Sequence, residues 1–112
     1  MKIVDVKDVK IADTVHKVAV KKLFNFEHAT IVHIELKPGE ALKRHLTPVE
    51  AFFYVLEGNG IVEIGKERKE IQKDQLIFSP AKISHILANE SDDKFRFLVI
   101  KTPTPTSETK IL

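Results

Sequence analysis

Residues 37–60 read KPGEALKRHLTPVEAFFYVLEGNG, and the fold follows from how this stretch is read. At its centre lies an unbroken apolar run, Ala51-Phe52-Phe53-Tyr54-Val55-Leu56, closed by Glu57-Gly58-Asn59-Gly60. A short apolar run with aromatics in the middle and turn residues at its ends is the pattern of a strand buried on both faces. Alternation along a strand puts Ala51, Phe53 and Val55 on one face and Phe52, Tyr54 and Leu56 on the other. Upstream, Pro38-Gly39 sets a type II-like turn, because proline fixes φ and glycine supplies a positive φ. His45 stands between this turn and the run, where its imidazole can face whatever the strand walls off. His85 has a similar setting further on.

Working outward, the remaining segments are also extended. Ile3, Val4, Val6, Val9 and Ile11 alternate with Lys and Asp, and Val15, Val18, Val20 and Leu23 continue the pattern. β-Branched residues at period two favour strands over helix. In Ala29–Leu36, Val32, Ile34 and Leu36 share one face, and Ile31, His33 and Glu35 the other. Beyond the central run, Ile61–Ile64 leads into a hairpin signal at Gly65-Lys66-Glu67. Gln75–Phe78, His85–Asn89 and Phe95–Ile100 are further short strands separated by polar turns. Strands at this spacing, with no helical periodicity, read as a small all-β sandwich or barrel. A single barrel is expected over residues 1–100. The Thr/Pro-rich tail, 101–112, is expected to be mobile or docked on a partner.

Composition narrows the class. The 112 residues are enough for one core, with 43% hydrophobic and 30% charged residues. Eighteen basic against sixteen acidic residues leave a net charge of +2, too even for a nucleic-acid or anionic-membrane footprint. No apolar run approaches a membrane span, and the N-terminus carries no signal-peptide pattern, so the cytoplasm is the expected location. The absence of Cys removes disulfides, thiolate nucleophiles and Cys-based zinc sites. Abundant Lys and Glu without Cys or Trp is a thermophile-like composition.

Motif spacing points to a family. Gly39 is followed after five residues by His45, and Gly58 closes the pattern G-(X)5-H-X-H-(X)3,4-E-(X)6-G in register. Pro80, His85 and Asn89 fit G-(X)5-P-X-G-(X)2-H-(X)3-N, and fifteen residues separate Gly58 from Asp74. In these motifs, over roughly residues 29–100, the chain resembles the cupin superfamily and its small single-domain members. The resemblance implies a jelly-roll β-barrel, the double-stranded β-helix. Four motif positions depart from the pattern: Thr47 replaces the second His, Ala51 the Glu, and Asp74 and Lys82 the two Gly. Asp tolerates a left-handed turn. Lys in that conformation costs about 1–2 kcal/mol, so the loop at Lys82 is expected to have changed shape.

In metal-binding cupins three His and one Glu hold a divalent ion. Of these donors only His45 and His85 remain, so the resemblance leaves either one weak site for Mn, Fe, Ni or Zn, or none. Glu50 joins as a third ligand only if a bulge near Pro48 shifts the strand register by one residue. His16, His28 and His33 match no motif and are expected on the surface or at an interface.

Three functions follow. The first is binding of a small polar ligand in a pocket marked by His45 and His85 and lined by Thr47, Phe53, Val55 and Phe78. The second is a metal-dependent isomerase, decarboxylase or dioxygenase. The third is metal-free acid/base chemistry of the sugar epimerase or isomerase kind, with His45 or His85 as the catalytic candidate. The outward set Phe52, Tyr54 and Leu56 needs cover, from elsewhere in the chain or from a second copy, and a homodimer is expected.

Overall fold

The computed structural model describes residues 1–106 and 110–112. Among these the chain forms eleven strands and one short 3-10 turn, Val6–Asp8. β1 (Ile11–Ala12), β2 (Ala19–Phe26), β3 (Ala29–Leu36), β10 (Phe95–Thr102), β5 (Glu50–Glu57) and β8 (Leu76–Ser79) lie side by side, in that order, as a six-stranded sheet. β11 (Lys110–Ile111), β4 (His45–Leu46), β9 (His85–Ala88), β6 (Asn59–Ile64) and β7 (Glu67–Gln72) make a five-stranded sheet facing it. Every pairing is antiparallel. This is an all-β jelly-roll barrel, and no helix is long and apolar enough to cross a membrane among the described residues.

The period-two residues near the N-terminus form less strand than their alternation suggests. The Asp5 carboxylate accepts from the Lys7 backbone N–H, and this local bond draws Val6–Asp8 into a 3-10 turn. Only Ile11 and Ala12 pair, with Lys21 and Val20.

The central run behaves as its alternation requires. In β5, Ala51, Phe53 and Val55 are buried, while Phe52, Tyr54 and Leu56 are half-buried on the outer face. The register against β10 is continuous from Glu50↔Thr102 to Val55↔Phe97, and a bulge falls only beyond it, between Arg96 and Phe97. Inward residues of both sheets, among them Leu36, Val62, Leu87, Phe95, Phe97 and Val99, complete one core. Fully burying each large apolar side chain is worth about 1.5–3 kcal/mol.

Turn chemistry fixes the ends of the barrel. Gly39 takes φ +88 and the Glu40 N–H closes the turn on the Lys37 carbonyl at 2.9 Å. Asn89, buried, donates from Nδ2 to the Leu36 and Asp93 carbonyls, and its own backbone bonds Gly39 and Glu40. The last residue of the second motif thus clamps the first turn of the first motif. At Gly58 (φ +84) an added Cβ would lie 2.2 Å from the Lys94 carbonyl oxygen.

The two non-glycine positions of the second motif keep a glycine-like backbone, with Asp74 at φ +67 and Lys82 at φ +64. The expected change of shape at Lys82 therefore does not occur. Its N–H donates to the Thr47 carbonyl at 2.9 Å, which holds the loop against the first motif at the expense of local strain.

Along the tail, Thr104 bonds Thr30 and the Glu27 carbonyl. Lys110 and Ile111 pair with Leu46 and His45, and the Leu112 N–H reaches the Arg44 carbonyl. Ser107 to Thr109, part of the tail expected to be mobile or docked on a partner, lie outside the described residues.

Candidate functional site: a buried imidazole pair beside a small chamber

His45 and His85 are direct cross-strand partners in the β4–β9 pairing. Residues opposite each other in an antiparallel pair hold their Cβ atoms about 4.5–5.5 Å apart, so two inward imidazoles there must meet. They do: the ring centroids are 4.2 Å apart, and the two Nε2 atoms lie 2.8 Å from each other, buried.

The flanking bonds determine which nitrogen carries each proton. His45 Nδ1 lies 2.6 Å from the Lys43 carbonyl, which can only accept, so Nδ1 is protonated. In a neutral ring Nε2 of His45 is then an acceptor and receives the Nε2–H of His85. That leaves Nδ1 of His85 to accept from the Ser79 hydroxyl at 3.1 Å. The chain Ser79 → His85 → His45 → Lys43 carbonyl is complete with both rings neutral, the tautomers following from the network.

Electrostatics keep the rings neutral. Burial, then His45 and Lys101, push the pKa of His85 down to about 3. Burial also lowers His45, opposed by its bond to the Lys43 carbonyl and reinforced by Lys101.

Beside the pair lies a cavity of about 150 Å³. Val20, Val32, Ile34, Leu42, Phe53 and Val99 make its apolar walls, and Thr14, His16, Thr30, His45 and Lys101 its polar ones. The Phe53 ring stands edge-on to His85 at 5.1 Å between centroids, joining pair and chamber. Burial lowers the pKa of Lys101.

The structure thus brings together His45, His85 and Phe53. Thr47 is fully buried, its hydroxyl without a hydrogen-bond partner among the described residues, and Val55 is buried in the core. Two expected site residues fall elsewhere. Phe78, expected on the pocket wall, lies on the outer face of β8 against Phe52, ring centroids 5.3 Å apart. The buried position of that strand is Ser79, one residue on, which reverses the assumed face. Glu50, the candidate third metal ligand, is exposed on the outer face, because the register of β5 is unbroken at its start.

His16, expected on the surface or at an interface, is instead part of the site. A turn from Thr14 to Lys17, with Lys17 at φ +57, folds it over the chamber, where its ring meets His45 at 4.9 Å. His16 Nδ1 accepts from the Lys43 N–H at 2.9 Å. Burial, then His45, Lys101 and Lys43, lower its pKa to about 4. No spacing rule links His16 to either motif, so nothing in the sequence marks it. His33 is buried on the outer side and accepts from Arg96 Nη1 through Nε2, while His28 is exposed beside Glu27.

A divalent ion of the kind many cupins hold does not fit this donor set. The two imidazole nitrogens that would face it are bonded to each other, and Thr47 and Ala51 stand where the family places His and Glu. His16 has its Nδ1 engaged by Lys43. Among the described residues no three His, Asp or Glu side chains converge to hold a metal ion.

Two antiparallel sheets closed into a barrel, with a polar pair on the inner face of the smaller one, define a double-stranded β-helix. The family model described as "Cupin domain" matches residues 32–101, more than half of the chain, and the protein belongs to that family. A protein of Methanocaldococcus jannaschii, MJ0764, is similar at 26% identity over 87 residues, 77% of this chain and 75% of the relative. The crystal structure of TT1209 from Thermus thermophilus superposes with a TM-score of 0.81 at 30% identity, covering 94% of this chain and all of that one. The polyketide cyclase RemF of Streptomyces resistomycificus shares the fold, with a TM-score of 0.85 at 22% identity over all of this chain and 85% of that one.

Proposed function

We propose that this cupin is a binding protein for a compact organic molecule, held without a metal in the chamber beside His45 and His85. The carrying observation is the cavity of about 150 Å³ with mostly apolar walls and a few convergent polar groups, the usual make-up of a ligand site. Its volume matches ligands of about six non-hydrogen atoms, since an engineered cavity of that size holds benzene. The hydrogen-bonded imidazoles give one wall a fixed polarity, because rotating either ring would break a bond at each of its nitrogens. Among the described residues, a metal-dependent reaction lacks the donors it requires.

The same reading includes a homodimer, paired through the outer face of the six-stranded sheet. Phe24, Phe26, Phe78 and Leu76 are exposed there, and Phe52, Leu98 and Ile100 half-exposed, as one apolar surface. The Arg96–Glu57 ion pair at one end carries both signs, which suits an isologous two-fold contact. The expected cytoplasmic location belongs with this proposal.

A fragment screen read by ¹⁵N–¹H correlation spectra tests the chamber. Hits should move the amides of Val20, Ile34, Phe53 and Val99 and lose binding in Val99→Phe, which fills the cavity. Hits that map elsewhere, or that survive the filled cavity, would contradict the proposal.

A further inference from the structure

Five of the described residues that line the chamber are polar, and their bonds decide what it can still take. Three are already engaged. His45 spends both ring nitrogens in the chain from Ser79 to the Lys43 carbonyl. Thr30 bonds Asn25 and Thr104, and Lys101 has an interaction partner of its own. The other two, Thr14 and His16, come from a segment outside both motifs. Thr14 Oγ1 is buried and has no hydrogen-bond partner. His16 Nδ1 accepts from the Lys43 N–H, so the ring is neutral and its proton sits on Nε2. Among the described residues no acceptor takes that proton.

Two neutral donor protons thus meet the cavity, and the one acceptor left beside them is the Thr14 oxygen that carries one of the two. A buried donor left unpaired is costly, and an occupant that accepts from it recovers the loss. A carbonyl oxygen has two lone pairs and no proton, so it can take both bonds. An alcohol brings a third proton and leaves one of the three unpaired. An ionised acid finds two neutral donors and a Lys101 already engaged, so its charge would be buried without an open counter-charge. The walls from Val20 to Val99 are apolar and suit the hydrocarbon part of a neutral molecule.

We infer that Thr14 and His16 form a recognition site for a carbonyl oxygen, so that the chamber takes a small neutral carbonyl compound with an apolar body. This rests on the chamber being a ligand site and adds the chemical class of the ligand. It also gives the turn from Thr14 to Lys17 a purpose, since that turn carries both donors to the cavity.

The test titrates the full-length protein at neutral pH with four probes of one size, followed by ¹⁵N–¹H correlation spectra. The probes are cyclopentanone, its alcohol cyclopentanol, its hydrocarbon isostere methylenecyclopentane, and isobutyrate. Cyclopentanone should shift the amides of cavity residues and bind at least about fivefold more tightly than cyclopentanol, the effect of one buried proton left unpaired. Isobutyrate should bind there more weakly than the ketone. Thr14→Val should weaken cyclopentanone about fivefold and leave methylenecyclopentane, which accepts no hydrogen bond, no weaker. Thr14→Ser, which keeps the hydroxyl, should stay within about twofold of wild type for the ketone. If Thr14→Val does not fold, the wild-type order of ketone, alcohol and acid decides the matter. Cavity binding of the alcohol or the acid as tight as that of the ketone would overturn the carbonyl assignment and leave the chamber standing. A ketone affinity indifferent to Thr14→Val, or cavity shifts with the hydrocarbon but not the ketone, would do the same. An absence of cavity shifts with all four probes would overturn the assignment and the chamber together.

Discussion

Acid should unfold this protein through His85, and the size of the effect can be worked out. In the folded chain its pKa is pushed to about 3, first by burial and then by His45 and Lys101. An unfolded imidazole titrates near 6.5. Above pH 6.5 neither state binds the proton, so the stability is fully present. As pH falls below 6.5 the unfolded state takes up a proton that the folded state refuses, and stability drops until the folded pKa is reached. Between pH 6.5 and 5 the difference is 1.5 pH units, or about 2 kcal/mol for His85 alone at about 1.4 kcal/mol per unit. His16 and His45 are shifted in the same direction and add to it. Against a typical domain stability of about 5–15 kcal/mol this is a large fraction. Urea unfolding at pH 7.5 and pH 5, at one fixed protein concentration, measures it. His85→Gln keeps a donor for His45 and removes the titration, so its stability should fall by about 2 kcal/mol less over the same interval. Wild-type stability that is flat from pH 7.5 to 5, or an unchanged slope in His85→Gln, would refute the neutral buried pair.

Three further outcomes follow from the backbone and the outer face. Gly58→Ala should cost roughly 3 kcal/mol in urea unfolding, because φ is +84 and the new Cβ would lie 2.2 Å from a backbone oxygen that cannot move aside. Lys82→Gly should stabilise by about 0.5–1 kcal/mol, since relief of the left-handed strain at φ +64 exceeds the added freedom of the unfolded chain; the melting temperature reads it. Phe52→Glu should give monomers by light scattering, as a charge at the centre of the apolar face opposes pairing; an unaltered dimer mass would remove the face from the interface.

Much of the frame is legible in residue order because it rests on local rules. Alternation assigns the faces of β3 and β5 correctly, and Pro38-Gly39 announces its turn. His45 and His85 carry motif spacing, and antiparallel pairing converts that spacing into contact. Other features depend on register, which local sequence does not state. Phe78 and Ser79 are equally plausible inward residues until the pairing of β8 with Phe52 of β5 is known. Lys82 reads as a reason for the loop to change, yet its N–H bond to Thr47 outweighs the strain. His16 is the largest omission. Its arrival over the chamber depends on Lys17 entering a left-handed conformation that is uncommon for a residue other than glycine.

The most direct measurement is the protonation pattern of the two imidazoles by long-range ¹H–¹⁵N NMR in the metal-free protein. The structure predicts His45 as the Nδ1–H tautomer and His85 as the Nε2–H tautomer, with coupling across the 2.8 Å contact, His85 not titrating between pH 8 and pH 5, and His45 shifted below its ordinary value by burial. Two rings that titrate independently near 6.5, or two Nδ1–H tautomers with no coupling between their Nε2 atoms, would contradict it.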